Sequence, residues 1–190
     1  MYKQCTTEQS ASRQRELVEG MLEALTRQHY DEITVSGLCQ QLQIPRKSFY
    51  RYFSSKEGAL HALIDYALLD FESFQTSRKK ESTLTEEMER IFAYWMHRKK
   101  LLDALEKSNL SGILVQRAIG HSVLENKKDR PHLPAEEQQA MEYFMLFAVT
   151  GLMSMVIQWH RDGYPQSVKQ MADIASRLVT RPMASDIFSQ

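Results

Sequence analysis

The stretch "IPRKSFYRYF", residues 44–53, holds one proline, three cations, two tyrosines and two phenylalanines in ten residues. On a helical wheel of about 100° per residue Phe49 and Phe53 fall together, while Arg46, Lys47, Tyr50 and Arg51 share another arc roughly 140° wide. That division predicts a short helix anchored by two phenyl rings, with cations and a tyrosine turned outward. Such a face suits nucleic acid: Arg can bond guanine O6/N7 with two donors, Lys can bond phosphate or guanine, and a tyrosine hydroxyl can bond phosphate. No acid lies between Glu32 and Glu57, so Arg46, Lys47, Arg51 and Lys56 form an uninterrupted cationic cluster. Taken alone, a cationic octapeptide is more often just a solvated helix face, so the flanking sequence has to decide.

Upstream, Leu17, Val18, Met21, Leu22 and Leu25 repeat on one face and predict a first helix over about 12–28. Thr34 precedes "VSGLCQQL" and can cap a short second helix over about 35–42, with Val35, Leu38, Cys39 and Leu42 inward. "QI", residues 43–44, is the turn. Pro45 opens the third helix, where its missing N–H costs nothing. Downstream, Ser54 and Glu57 have capping-box spacing and predict a long fourth helix to about residue 76. Two short helices joined by a tight turn and packed on a longer first helix make the helix-turn-helix plan, whose second helix is presented to the major groove.

The segment "TVSGLCQQLQIPRKSFYRYFSSKEGAL", residues 34–60, resembles the DNA-binding segment of the TetR family of bacterial transcriptional regulators. Its core, "SFYRYFSSKEGAL", is similar to that family's most specific motif: a small hydroxyl residue, Phe, Tyr, any residue, His or Tyr, Phe, two small or polar residues and Lys, then a new helix. The chain departs from the pattern at Gln43, where the family usually has Gly, at Pro45, where it usually has Ser or Thr, and at Gly37, where it usually has an acid. The resemblance implies base-edge contacts from Arg46, Lys47 and Ser48. It implies phosphate contacts from Thr34, Ser36, Tyr50, Tyr52 and Lys56. The wheel turns Tyr52 partly inward, whereas the family turns it toward phosphate; because the helix ends there, the expectation follows the family.

The whole chain fits an all-α fold of about nine helices. It has 190 residues, only 7 glycines and 5 prolines, and no alternating β-branched run that asks to be a strand. We expect a helix-turn-helix DNA-binding domain over residues 1–56 and a larger effector-binding and dimerisation domain over 57–190. Further helices are expected near 84–95, 101–105, 110–121, 135–161 and 165–179, with the clearest loop at "NKKDRPHLP", residues 126–134. The net charge is zero, with 43% apolar and 25% charged residues, so the molecule as a whole is no polyelectrolyte. The most apolar run, Tyr143 to Ile157, is shorter than the roughly 20 residues of a spanning helix, which points to a cytoplasmic protein away from membranes.

Cys5 and Cys39 have no metal-ligand spacing, and the six histidines form none with them. No phosphate-binding glycine loop, dinucleotide fingerprint, G-x-S-x-G or Cys/His signature occurs, so a non-enzyme without cofactor or metal is expected.

The long helix over 135–161 is apolar nearly all round and needs cover on more than one face. The economical answer is a homodimer built on this helix and the next, with Phe144, Gly151, Met155, Trp159 and Met171 at the interface. The TetR resemblance implies the same mode of assembly. A two-fold dimer supplies two recognition helices for a pseudo-palindromic site. Phe92, Trp95, Met96, Tyr143 and Phe147 are candidates to line an effector pocket, although aromatic and methionine residues at helical spacing are usually core. The reading is a ligand-responsive regulator of transcription, more often a repressor, that binds double-stranded DNA and a small-molecule effector. The alternatives are a helical small-molecule binding protein with a non-functional helix-turn-helix, or an all-helical enzyme.

Overall fold

The computed structural model describes residues 2–3, 5–76, 82–129 and 134–180. It is all-α. Among the described residues the order is α1 (Glu8–Arg27), a 3-10 turn (Tyr30–Glu32), α2 (Val35–Gln41), α3 (Arg46–Tyr50), α4 (Lys56–Thr76), α5 (Leu84–His97), α6 (Lys99–Lys107), α7 (Ser111–Asp129), α8 (Ala135–Arg161) and α9 (Val168–Thr180).

The largest shifts from the expected boundaries are at two helix ends. The first helix starts at Glu8 rather than near residue 12, because Thr7 Oγ1 accepts from the Ser10 N–H at 3.3 Å and caps it there. The seventh continues to Asp129, so helix occupies the first part of the expected 126–134 loop. Residues 130–133 of that loop lie outside the described residues. At the start of α5, Thr83 and Glu86 close a capping box, which the sequence reading did not single out. At the start of α4, Ser55 Oγ accepts from the Gly58 N–H at 3.3 Å.

The body is built from two helix pairings. Helix α9 packs along α5 and α8 along α7, while α4 connects the body to α1 and α1 also touches α6. Phe92 and Trp159 meet edge-on, with ring centroids 5.6 Å apart, and the Trp159 indole N–H donates to Gln166 O at 3.0 Å. Burying two large aromatics in one contact is among the stronger packing contributions a small domain can make.

The headpiece has its own close fits. A methyl group at Gly20 would lie 2.5 Å from Leu42 Cδ2, so glycine there lets α2 come down onto α1. Gln43 sits at φ +52°, the left-handed conformation that glycine would adopt without strain. Gly37 offers its N–H to Thr34 Oγ1 at 3.0 Å, so the threonine caps α2 without an acidic partner.

An N-terminal arm ties headpiece to body. Lys3 N–H donates to Tyr52 O at 3.0 Å and Tyr2 bridges Phe53, both just beyond α3. The Tyr2 hydroxyl donates to Asp65 Oδ2 at 2.6 Å, and the same buried carboxylate takes two hydrogen bonds from Arg117 on α7. Burial, with the Asp65 hydrogen bond, pushes the Tyr2 phenol well above its ordinary range. Buried Gln14 completes the joint: it donates to Lys3 O at 2.9 Å and accepts from the Tyr66 hydroxyl and, at 3.4 Å, from Cys5 Sγ.

Candidate nucleic-acid interface

Helix α3 is only five residues long, and Pro45 caps it without a side-chain bond. So short a helix has little stability of its own and depends on what it packs against. Phe49 and Phe53 supply that: both are buried, with ring centroids 5.3 Å apart. Phe49 also meets Tyr50 edge-on at 5.7 Å. Buried rings therefore set the rotation of α3, and the rotation sets what faces outward.

Outward are Arg46, Lys47 and Tyr50, the last 44% exposed. Arg46 Nη2 donates to the Tyr50 hydroxyl at 3.3 Å and its guanidinium lies 5.9 Å from the Tyr50 ring centroid. The pair holds a donor fork and a phenol side by side, which limits the rotamer freedom lost on meeting a ligand. That hydrogen bond, chiefly, raises the Arg46 guanidinium further above neutral pH, so its charge is permanent. Ser48 is half-buried, whereas Thr34 and Ser36 at the start of α2 are exposed.

Two residues sit otherwise than the family resemblance implies. Tyr52 is only 8% exposed and packs on Phe53, with Arg51 over its ring at 6.0 Å. Against the expected phosphate contact, the chain leaves α3 at that point and turns the Tyr52 ring inward. Lys56 is half-buried, and its ammonium donates to Tyr30 O at 3.0 Å and Asp31 O at 3.4 Å, 4.3 Å from the Tyr30 ring centroid. It clamps the 3-10 turn between α1 and α2 rather than standing free for phosphate. Burial raises the Tyr30 phenol to about 12, with Glu57 and Asp31 adding to it, so the ring beside Lys56 stays neutral.

Sequence reasoning missed the start of α1. Thr7, Ser10, Ser12, Arg13 and Glu16 line an open recess with Arg51 and Tyr52, the two residues after α3. The signal was present in Thr7 as a cap, three residues before Ser10.

The expected interface and pocket residues divide. Phe144 and Gly151 are exposed on α8 and Met155 is half-buried, but Trp159 (3% exposed) and Met171 are sealed inside the subunit. Those two belong to the core because α9 folds onto α5 and takes Met171 with it, while Trp159 closes against Phe92. The five expected pocket residues do not gather. Phe92 and Trp95 are core, while Met96, Tyr143 and Phe147 face outward, the last two at 65% and 75% exposure. The outer half of α8 is thus an apolar surface, with Leu146 exposed beside them. Helix α8 is also long and apolar enough, by length and composition, to cross a membrane, which the shorter run counted in the sequence does not reveal.

Comparison with known proteins fits this arrangement. The family model TetR_C_8, "Transcriptional regulator C-terminal region", matches residues 82–181, more than half of the chain. The fold is similar to that of the fatty acid degradation regulator FadR from Bacillus halodurans, with TM-score 0.57 and 12% identity, covering 93% of this chain and 96% of that one. It is also similar to the dihydroxyacetone kinase operon activator DhaS, with TM-score 0.53 and 14% identity, covering 87% and 93%. At such identities the likeness speaks for the fold alone. No curated protein sequence matches the chain. With a regulator model over its C-terminal half and a helix-turn-helix at its N-terminal end, the chain belongs to the TetR family of transcriptional regulators, a family without enzymatic activity.

Proposed function

We propose that the chain acts in the cytoplasm as a homodimeric, ligand-responsive repressor that binds a pseudo-palindromic operator. Residues 1–56 form the DNA-binding unit and 57–190 the effector-binding and dimerisation unit. The observation that carries this reading is the outward face of Arg46, Lys47 and Tyr50 above the buried rings of Phe49 and Phe53. Arg46 and Lys47 read base edges, with Ser48 at the groove wall. Thr34, Ser36 and Tyr50 meet phosphates, and Tyr52 and Lys56 hold the unit in shape from within.

The second copy covers the exposed face of α8. Tyr143, Phe144, Leu146 and Phe147 pack across the two-fold axis, with Gly151 at a close crossing and Met155 beside it. An exposed apolar patch of this kind marks an interface. Glu136, Glu137 and Glu142 in the same half of α8 favour a protein partner over a bilayer, since carboxylates inside hydrocarbon are costly.

Selection of bound duplexes from a random pool tests the proposal. We expect an enriched inverted repeat with half-sites one helical turn or more apart. Recovery of unenriched sequence, at an affinity that responds to salt alone, overturns it. A reporter carrying the recovered site then gives the sign of regulation, with repression expected.

A further inference from the structure

Apart from Phe92, Trp95, Met96, Tyr143 and Phe147, a different cavity lies at the seam of headpiece and body. It is an open-mouthed cleft between α1, α4 and the α5–α6 corner, with a volume of about 160 Å³. Its floor is apolar, made by Val18 and Leu22 of α1, Leu63 of α4 and Leu101 of α6. A volume of this order leaves room for a body about the size of a benzene ring.

The rim is charged and unevenly satisfied. Asp70 lies between two guanidinium groups, with Arg98 at 2.8 Å and Arg15 at 3.4 Å. That leaves Lys100, exposed on the rim, without an ion pair among the described residues. The rim carries three cationic side chains, Arg15, Arg98 and Lys100, against two carboxylates, Asp70 and Glu19, a formal excess of one positive charge. Tyr66 and His97 complete it, with the Arg15 guanidinium 4.7 Å from the Tyr66 ring centroid.

We propose that this seam is a binding site for a small monocarboxylate with a compact apolar body about the size of a benzene ring. The apolar body fills the floor, and the carboxylate takes Lys100 and the outward donors of Arg98. Glu19, on the α1 side of the mouth, stands against a second negative charge, so dicarboxylates and phosphate esters are disfavoured. The site needs nothing from the α8 surface and is complete within one subunit.

Its position gives it consequence. Val18 and Leu22 lie on α1, the helix on which α2 sits, whereas Leu101 and Lys100 lie on α6 of the body. A ligand between them is bound best at one spacing of α1 and α6. It therefore biases the orientation of α3, and DNA in turn changes the ligand's affinity by the same factor. Only this coupling rests on the DNA-binding reading; the pocket itself does not.

The test separates the two. Benzoate is titrated calorimetrically into the full chain without DNA, beside phthalate and benzyl alcohol. We expect saturable benzoate binding by about 10 mM, with phthalate and benzyl alcohol each weaker by about tenfold or more. Lys100→Ala, a surface change, should weaken benzoate by about tenfold through loss of one charge-assisted hydrogen bond. Leu22→Phe, which fills the floor, should abolish binding, with the melting temperature checked to confirm folding. Absence of benzoate binding overturns the proposal. So does binding that is indifferent to both substitutions, because the ligand then sits elsewhere. Benzoate binding that passes these tests but leaves affinity for a selected DNA site unchanged overturns the coupling alone. Absence of any DNA binding overturns the regulator reading and leaves the pocket result standing.

Discussion

Helix α3 and the outer half of α8 both show aromatic rings to solvent, and they do so for opposite reasons. On α3, Tyr50 is exposed beside Arg46 and Lys47, with two phenyl rings buried beneath. On α8, Tyr143, Phe144 and Phe147 are exposed with Leu146 and no cation among them. The first surface is polar enough to remain wet without a partner. The second presents rings and Leu146 with no cation beside them and is stabilised by being covered. An exposed ring is therefore uninformative alone, and the charge around it decides what it awaits.

The comparison breaks most visibly on α8. Replacing Phe144 and Phe147 together by Glu should yield monomers in sedimentation and weaken binding to an inverted-repeat site by about 100-fold or more, since two linked recognition helices gain from effective concentration. A variant that remains dimeric removes α8 from the interface. Next in size is the support beneath α3. Phe49→Ala should destabilise the headpiece by about 3–5 kcal/mol, seen in thermal melts, and should weaken all DNA sequences alike. If the melt is unmoved, α3 is not held by that ring.

Arg46→Ala should leave the melt unchanged. It should weaken binding to the preferred site by about 10- to 100-fold with little effect on random DNA. Equal losses on both DNAs would return Arg46 to the role of a general phosphate contact. Lys56→Gln should lower stability by about 1 kcal/mol through its lost bonds to Tyr30 and Asp31. The slope of affinity against salt should stay the same, and a slope shallower by about one charge would restore the phosphate role.

The smallest effect concerns pH. Burial, reinforced by the Arg117 cation, depresses the His61 imidazole below its ordinary value. The unfolded chain, with a histidine near 6.5, then binds that proton more readily than the folded one. The contribution is present in full above about 6.5 and is lost as the pH falls through the depressed folded value. A His61→Gln variant should show a flatter melting temperature between about pH 7 and 5. An unchanged pH profile would place the acid sensitivity elsewhere.

Most of the headpiece was legible in the sequence. The split of Phe49 and Phe53 from Arg46, Lys47 and Tyr50 is a matter of 3.6-residue periodicity, which survives into the fold wherever a helix has one wet face. The family resemblance assigns Tyr52 to phosphate although the wheel turns it partly inward, and the fold buries it. The role of Lys56 was not legible, because its carbonyl partners lie about 25 residues away and depend on how the 3-10 turn folds back. Trp159 and Met171 were misassigned for a related reason. Periodicity shows that a face is apolar, but not whether the same chain or a second copy covers it.

The sequence by itself determined an all-helical chain, the helix-turn-helix and the family motif, because helix formation and the rotation of α3 follow from residues a few positions apart. Only the tertiary structure decided the rest: the arm joining Tyr2 to Asp65 and Arg117, the pairing of α9 with α5, and the cavity between α1 and α6. Each brings together residues tens of positions apart. Which distant faces meet is set by the packing of the whole core, and no local pattern encodes it.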